Sequence, residues 1–319
     1  MPDKVAIIDM GTNTFHLLLA ESSGNGRYEI NFRDRVAVKI GKGGINAGHI
    51  TKEGANRAVH AMQAFRKIID QNKIDNIRAF GTSALRSASN GDDVLAKIMA
   101  ATGIDAKIIS GELEAEYIYE GVRYGLKLGT EKSLIIDIGG GSVEFIIADQ
   151  EKIFWKKSLE IGAQRLLEKF HKHDPISSEE IEMLNTYFED QLHPLLEALK
   201  AHPTRSLIGA SGSFDTLSDI YCFREGMAKG DNDPETPLTL PAFYSITEEI
   251  ISKSRTQRMD IPGMIEMRVD MIVVSTCLIK YILSRHPFER IRVSSYSLKE
   301  GVLASLAKTL SAVELSSPK

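Results

Sequence analysis

One motif occurs near the start of each half of this chain, and it limits the folds that the chain can adopt. In both copies an apolar run ends in an aspartate, glycine and small hydroxyl residues follow, and a second apolar run completes the pattern. The copies read IIDMGTNTFHLLL over residues 7–19 and SLIIDIGGGSVEFII over residues 133–147. Apolar runs joined by glycines are typical of β-hairpins. A repeat with only two distant copies predicts a duplicated domain, not a solenoid.

The turns of both hairpins also predict anion binding. Glycine lets backbone N–H groups approach an anion closely, and a neighbouring hydroxyl adds a donor. The residues concerned are Gly11, Thr12, Asn13 and Thr14 in the first turn and Gly139, Gly140, Gly141 and Ser142 in the second. In the second copy, Asp137 and Glu144 could place two carboxylates near a hard cation such as Mg²⁺. One such hairpin alone is as often a structural turn, but the pair suits a ligand with several phosphates.

Three further segments carry candidate site residues. A third strand leads into Ser211, Gly212 and Ser213 at the start of a helix, where free N–H groups bind anions. Arg86 follows a strand, so its guanidinium either binds phosphate oxygens or is an ordinary surface group, and alone the surface reading is favoured. An acidic cluster, Glu112, Glu114, Glu116 and Glu120, begins a helix. Such clusters usually complement the helix dipole, although one member could serve as a general base.

Composition narrows the class of protein. The 319 residues suffice for two domains, and the formal net charge of −4 gives no basic field that would attract nucleic acid. The N-terminus lacks the pattern of a signal peptide, and the longest apolar run, residues 271–283, is too short to cross a bilayer. The two cysteines have no metal-binding spacing. We therefore expect a cytoplasmic protein that binds neither nucleic acid nor membrane.

The patterning predicts strands that alternate with helices, and therefore an α/β fold in two similar lobes. Residues 1–125 and 126–297 are the expected domains, with the C-terminal helix from Leu298 packing back on the first. The capping box at 177–180 predicts one helix to about Lys200, residues 225–240 read as a surface loop, and Pro262 begins a predicted helix to Leu283. The glycine-rich segment 41–48 is either a flexible loop with solvated lysines or a cationic edge of a phosphate site.

Together these motifs resemble the exopolyphosphatase / guanosine pentaphosphate phosphohydrolase family, in the order seen there, from Val5 to about Ala307. They are IDMGTNTFHLL, TSALRSASNG, ISGELEA, DIGGGSVE, GASGS, RVD and SLKEGV. The resemblance implies the duplicated actin-like, sugar-kinase-like ATPase fold (ribonuclease H-like lobes), with the active site between two lobes. It also implies the short form of the family, without additional C-terminal helical domains.

The resemblance assigns roles to individual residues. Glu114 would orient or deprotonate the attacking water, and Arg86 would bind phosphate oxygens. Asp137 and Glu144 would hold Mg²⁺, with Asp9 as a third candidate ligand. The glycines and hydroxyl residues of the three turns would cradle phosphates. Glu112 and Glu116 stay with helix capping, and His16, among apolar neighbours, is predicted to be a core residue.

Several functions remain open at this stage. The leading hypothesis is a Mg²⁺-dependent exopolyphosphatase that acts on inorganic polyphosphate, and its rival removes the terminal phosphate of guanosine pentaphosphate. A kinase or ATPase of the same fold and a non-enzymatic polyphosphate or alarmone sensor are weaker alternatives. A homodimer is expected from general frequencies and from the habit of the family.

Overall fold

The computed structural model of the chain describes residues 3–24, 27–230 and 233–316. It divides into two compact units, one formed by Met1–Tyr124 with Leu298–Lys319 and the other by Gly125–Ser297. The sequence predicts nearly the same boundary, and it also assigns the last helix to the first unit. No helix among the described residues is long and apolar enough to cross a membrane.

The strands and helices of the described residues alternate along most of the chain. The strands are β1 (Lys4–Met10), β2 (Thr14–Gly24), β3 (Arg27–Ala37), β4 (Asn76–Gly81), β5 (Ala106–Ile108), β6 (Ser133–Ile138), β7 (Val143–Ala148), β8 (Ile153–Leu159), β9 (Ser206–Ala210), β10 (Glu235–Thr236) and β11 (Arg290–Ser294). The helices are α1 (Lys52–Gln71), α2 (Ser83–Ser87), α3 (Gly91–Thr102), α4 (Gly111–Gly125), α5 (Ala163–Phe170), α6 (Ser178–Gln191), α7 (His193–Ala201), α8 (Gly212–Glu225), α9 (Leu240–Ser252), α10 (Arg255–Met259), α11 (Met271–Arg285) and α12 (Leu298–Ser316).

The first unit is built on a mixed sheet with the strand order β3-β2-β1-β4-β5. β1, β2 and β3 form antiparallel pairs, whereas β4 and β5 run parallel to β1. Helix α1 covers one face of this sheet with Met62, Phe65 and Ile69, all fully buried. Its start is fixed by Thr51, whose side chain accepts a hydrogen bond from the amide of Gly54, a cap that contributes about 1 kcal/mol.

Helix α12 returns the end of the chain to the first unit, where it packs against β1 and β3. It approaches α4 very closely, because a Cβ atom at Gly301 would lie 1.7 Å from the carbonyl oxygen of Tyr117. Buried Glu300 lies 3.5 Å from the guanidinium of Arg33 on β3. The first unit is therefore assembled from both ends of the sequence.

The second unit repeats this design with the order β10-β11-β9-β6-β7-β8. β6, β7 and β8 form the antiparallel pairs, and β9 and β11 run parallel to β6. β6 and β7 are buried along their whole length, and one face of each contributes to a large apolar core. The shared strand order confirms the duplicated α/β fold, with the extra strand β10 added at one edge of the second sheet.

Several element predictions in the second unit are wrong. The single helix predicted from the capping box is two helices, α6 and α7, because Pro194 stands in the first turn of α7 and restarts the helix. The predicted surface loop 225–240 contains β10, and α9 begins at its last residue. The helix predicted from Pro262 begins only at Met271, because Gly263 has a φ of 92° and ends any helical path there.

The glycine-rich segment 41–48 is partly buried. Ile40, Gly41 and Ile45 are buried, and a short 3-10 turn spans Ile45–Ala47. The carbonyl oxygens of residues 38 and 39 accept hydrogen bonds from the side chain of Arg57. Lys42 is exposed on this segment.

Candidate active site

In the first unit, the acidic cluster at the start of α4 has one buried member. Glu114 is 7% exposed, whereas its neighbours Glu112 and Glu116 lie on the exposed side of the helix. Its Oε2 atom lies 2.8 Å from Nη1 of Arg86, which also donates to the carbonyl oxygen of Ile109 at 3.1 Å. The structure therefore singles out the glutamate that was predicted to be the base, and it pairs that residue with the predicted phosphate-binding arginine.

The sheet explains how these two side chains meet. α2, which carries Arg86, follows β4, and α4 follows β5, the neighbouring parallel strand. The carboxyl ends of parallel strands lie at one edge of a sheet, where α/β proteins commonly place ligand-binding groups. The amide of Ile109 donates to the carbonyl oxygen of Gly81, which ties the two strand ends together at this edge.

The first hairpin turn lies in the same unit and is tightly held. The carbonyl oxygens of Thr12 and Asn13 accept hydrogen bonds from the amides of Gly41 and Lys39. Thr12 is only 3% exposed, and its hydroxyl oxygen has no hydrogen-bond partner among the described residues. A buried hydroxyl without a partner is costly, so this side chain fits a turn that binds a polar ligand.

The aspartate of this hairpin is placed differently from its counterpart in the second unit. Asp9 stands opposite His16 in the β1–β2 ladder, and both are half-buried. The structure thus places the predicted core residue His16 at an intermediate depth. Asp9 belongs to the first unit, whereas the other two predicted metal ligands, Asp137 and Glu144, belong to the second.

The second hairpin turn is held from one side by the start of α5. The carbonyl oxygens of Gly139, Gly140 and Gly141 accept hydrogen bonds from the first amides of that helix region, those of Ala163, Gln164 and Gly162 in that order. A planar trans peptide points its N–H away from its C=O. The amides of the turn therefore point away from α5, and those of Gly140 and Gly141 have no backbone acceptor within the described part of the chain. This geometry suits an anion on that side.

Gly162 makes this arrangement possible, and the sequence analysis did not identify it. A Cβ atom at this position would lie 2.4 Å from the carbonyl carbon of Gly141 and 2.5 Å from that of Gly140. Arg165, one turn into α5, adds a hydrogen bond from Nε to the carbonyl oxygen of Gly141 at 2.8 Å. The backbone of the turn and the start of α5 can therefore approach closely because glycines stand on both sides of the contact.

Two buried carboxylates flank the second turn. Asp137 and Glu144 are directly opposite each other in the β6–β7 ladder and are 7% and 1% exposed. Like charges directly opposite each other destabilise a sheet, and a bound cation would remove that repulsion. The described residues contain no cluster of three or more His, Cys, Asp or Glu that could hold a metal ion. A pair still fits Mg²⁺, which proteins often hold through one or two carboxylates together with substrate phosphates.

The third turn contributes to the same edge of the second sheet, but its hydroxyls are already engaged. Ser211 donates from Oγ to Oδ1 of Asp137 at 2.6 Å, and Ser213 donates to Oγ of Ser275 at 3.1 Å in the interior. The guanidinium of Arg268 lies against Gly212, since a Cβ atom there would be 1.9 Å from Nη2. Arg268 belongs to the RVD motif, which predicts no specific role for this side chain.

Two further side chains that contact the carboxylate pair were not predicted from the sequence. Ser158 donates to Oε1 of Glu144 at 2.7 Å, and Ser297 donates to Oδ2 of Asp137. Ser158 lies in β8 outside every motif, and Ser297 begins the SLKEGV motif without a predicted role, so their contacts with the carboxylates reveal them. In the second unit the structure thus joins the glycine turn, the carboxylate pair, Ser211 and Arg268, and in the first unit it joins Glu114 with Arg86.

Comparisons with known proteins agree with this picture. The sequence profile of the Ppx/GppA phosphatase family matches residues 19–310. A crystal structure of an exopolyphosphatase from Cytophaga hutchinsonii superimposes with a TM-score of 0.93 at 40% identity, over 96% of this chain and 98% of that one. Exopolyphosphatase 1 of Mycobacterium tuberculosis is 26% identical over 94% of this chain and 87% of its own length.

A relative with a different name is about as similar. The guanosine-5'-triphosphate,3'-diphosphate pyrophosphatase of Pseudoalteromonas translucida is 28% identical over 96% of this chain, but this chain spans only 59% of that protein. The profile match covers most of the sequence, and the fold is the one that the sequence predicts. The chain is a member of the Ppx/GppA phosphatase family.

Proposed function

We propose that this protein is a Mg²⁺-dependent exopolyphosphatase, which releases the terminal phosphate of inorganic polyphosphate. As a member of its family, the chain is a hydrolase of phosphoanhydride bonds. The observation that carries the proposal is the buried ion pair of Glu114 and Arg86. A buried carboxylate held in place by a guanidinium is suited to positioning a water molecule.

The chemistry needs few covalent steps from the protein. Water attacks the terminal phosphorus, the bond to the bridging oxygen breaks, and the shortened chain leaves with the electron pair. Glu114 accepts the proton of the water, and Arg86 holds the carboxylate in place through its 2.8 Å contact. Arg86 has five N–H donors in total, so the guanidinium can also stabilise charge on phosphate oxygens.

The second unit supplies groups for the phosphates and for a cation. The amides of the turn at Gly139–Ser142 would bind phosphate oxygens, because the carbonyls of the turn are engaged with the start of α5. Asp137 and Glu144 would hold Mg²⁺. When bound, Mg²⁺ would neutralise the charge that develops on the transferred phosphoryl group. Arg268 beside Gly212 adds a cation to the same edge.

We choose polyphosphate over guanosine pentaphosphate as the proposed substrate because of the names and the coverage of the similar proteins. The relative with 40% identity bears the name exopolyphosphatase and is matched over almost its full length. The pyrophosphatase relative extends well beyond the part that this chain matches. Its 28% identity nevertheless keeps the nucleotide as the second candidate substrate.

The test is a side-by-side measurement of phosphate release with Mg²⁺ from long polyphosphate and from guanosine pentaphosphate. We expect a higher kcat/KM for polyphosphate. A higher kcat/KM for the nucleotide would identify the protein as a guanosine pentaphosphate phosphohydrolase. Binding of either compound without release of phosphate would identify a sensor instead, and transfer of phosphate to an acceptor would identify a kinase.

Two further sequence-based predictions have their own measurements. A homodimer predicts twice the monomer mass of 35.3 kDa in light scattering of the purified protein. A cytoplasmic location predicts that a tagged full-length chain fractionates with the cytoplasm and not with membranes. A monomeric mass or a membrane fraction would contradict the respective prediction.

A further inference from the structure

The carboxylate of Asp137 is held by two serine hydroxyls, one on each oxygen. Ser211 donates to Oδ1 at 2.6 Å, and Ser297 donates to Oδ2. Asp137 and Ser297 are each only 7% exposed, so the contact between them lies inside the protein. An ionised carboxylate has about four lone-pair sites, and these two bonds leave others for a ligand.

The two serines come from separate elements that the sheet brings together. β6, β9 and β11 are neighbouring parallel strands, and Asp137, Ser211 and Ser297 lie at or after their carboxyl ends. Ser297 follows β11 in a short turn, in which Ser294 donates from its hydroxyl to the carbonyl oxygen of Tyr296 at 2.8 Å. The position of the Ser297 hydroxyl is therefore set by the second sheet.

The backbone at Ser211 indicates that its bond to Asp137 is not incidental. Ser211 is the N-cap residue of α8, where a serine normally accepts a hydrogen bond from the helix, yet its side chain makes no such bond. Its φ of 65° and ψ of 179° are backbone angles that residues other than glycine rarely adopt. Unfavourable angles of this kind cluster at functional sites, where the surrounding structure enforces them.

We propose that Ser297 is a positioning residue, which together with Ser211 fixes the Asp137 carboxylate for binding a divalent cation. The inference rests on the proposed function, because that function assigns the cation to Asp137 and Glu144. Side chains that hydrogen-bond to metal ligands typically change metal affinity by about 10–100-fold when they are removed. In this proposal Ser297 is not itself a ligand of the cation, and its effect passes through Asp137.

The experiment measures binding of Mn²⁺ to the full-length protein by electron paramagnetic resonance, with Mn²⁺ as the probe for the Mg²⁺ site. Ser297→Ala should raise the Kd for Mn²⁺ by about 10–100-fold. Phosphate release should then require more metal but recover most of its kcat at saturation. Ser218→Ala is the matched control, since this buried serine of α8 donates only to the carbonyl oxygen of Pro237 at 2.8 Å. Its Kd should equal that of the wild type.

A second pair of variants separates the hydroxyl from the shape of the side chain. Ser297→Thr keeps a hydroxyl. Ser297→Val introduces a side chain of almost the same volume as threonine but without a hydroxyl, so the two variants should perturb the packing alike. We expect Thr to bind Mn²⁺ within about 3-fold of the wild type and Val to bind as weakly as Ala. Equal affinities for Thr and Val would overturn the inference, even if Ala fails to fold.

The outcomes also separate this inference from the proposed function. If Asp137→Asn loses Mn²⁺ while Ser297→Ala and Ser297→Val bind it normally, Ser297 has only a structural role and the proposed cation site stands. If the wild type releases phosphate but binds no Mn²⁺ or Mg²⁺, the cation site fails, and the inference fails with it.

Discussion

The two units carry equivalent hairpins at the same position of their two sheets, yet the polar groups of the hairpins differ. In the first unit the aspartate at the end of the strand faces a histidine, Asp9 opposite His16. In the second unit it faces a glutamate, Asp137 opposite Glu144, and serines hold both carboxylates. The two hairpins thus share their backbone pairing, but the second places two buried acids opposite each other where the first places an acid opposite a histidine.

The first unit has its own specialisation. Glu114, a buried acid on α4, is paired with Arg86. In the proposed reaction the first unit therefore supplies the base and the second unit supplies the cation site. The comparison shows that equivalent positions of a repeat need not have equivalent chemistry, and the following predictions test this division.

The largest effect is expected at the base. Glu114→Gln keeps the size of the side chain but removes the negative charge that accepts the proton, so kcat should fall by about 10²–10⁴-fold. Glu116→Gln, on the exposed side of the same helix, is the matched control and should keep wild-type activity. Phosphate release by both variants is the measurement. A Glu114→Gln variant with wild-type kcat would remove this residue from the mechanism.

The next largest loss of activity is expected at Asp137, and the equivalent aspartate of the first unit, Asp9, provides the comparison. Asp137→Asn should lower phosphate release by roughly 100-fold or more, because it weakens the pair that would hold the cation. It should also raise the Mg²⁺ concentration needed for half-maximal activity. Asp9→Asn should change this concentration much less, since Asp9 faces a histidine. An equal shift in both variants would show that Asp9 is also a ligand, as the sequence motif predicts.

A third prediction concerns the close contact behind the second turn. Gly162→Ala forces a methyl group into the backbone of Gly140 and Gly141, which cannot yield without moving the turn. The free energy of unfolding should fall by about 1–3 kcal/mol, as for other overpacked sites. Gly212→Ala is a useful comparison, because its methyl group would meet the end of the Arg268 side chain, which can shift. Urea unfolding should show the larger loss for Gly162→Ala.

The smallest effect concerns acid stability of the second unit. Burial alone would raise the pKa of Glu180, but hydrogen bonds from the backbone amides of Ser177, Lys172 and His173 and from the His173 ring lower it to about 2. A carboxyl with a lowered pKa stabilises the folded state above its ordinary pKa of about 4.3 and loses this contribution as the pH falls toward 2. Stability should therefore decline across this interval.

Glu180→Gln isolates this contribution, because glutamine can replace glutamate in a capping box but does not titrate. The difference in unfolding free energy between the wild type and this variant should shrink as the pH falls from about 4.3 to 2. Trp155 on β8 is the single tryptophan of the chain, so its fluorescence reports on the second unit. Glu182→Gln, an exposed change on the same helix, should show no such pH dependence. A constant difference for Glu180→Gln would contradict the assignment.

Much of the fold followed from local sequence signals, and the failures share a cause. Thr51 and the capping box at Ser177 marked helix starts correctly, because capping depends on neighbours in the sequence. The helix predicted from Pro262 failed because Gly263 packs against the backbone of Ile220, a distant contact that imposes a positive φ. The strand β10 was missed because two residues pair with β11 only after the sheet has formed.

The candidate site shows the same limit. Sequence motifs identified Glu114, Asp137 and Glu144, whose neighbours in the chain are distinctive. They did not separate Glu114 from Glu112 and Glu116 without the family resemblance, whereas burial separates them directly. Gly162 lies outside every motif, and Ser297 begins the SLKEGV motif but has no predicted role, yet both contact the site across the fold. Partners of this kind become visible only in three dimensions.

The discontinuous path of the chain through the first unit has a consequence for biosynthesis. The second unit is one continuous stretch, Gly125–Ser297, so a ribosome completes it before it makes α12. The first unit packs α12 against β1 and β3, so it remains incomplete until α12 has been made. In the proposed reaction, a nascent chain would therefore complete the unit that carries the proposed cation site before it completes the unit that carries the proposed base.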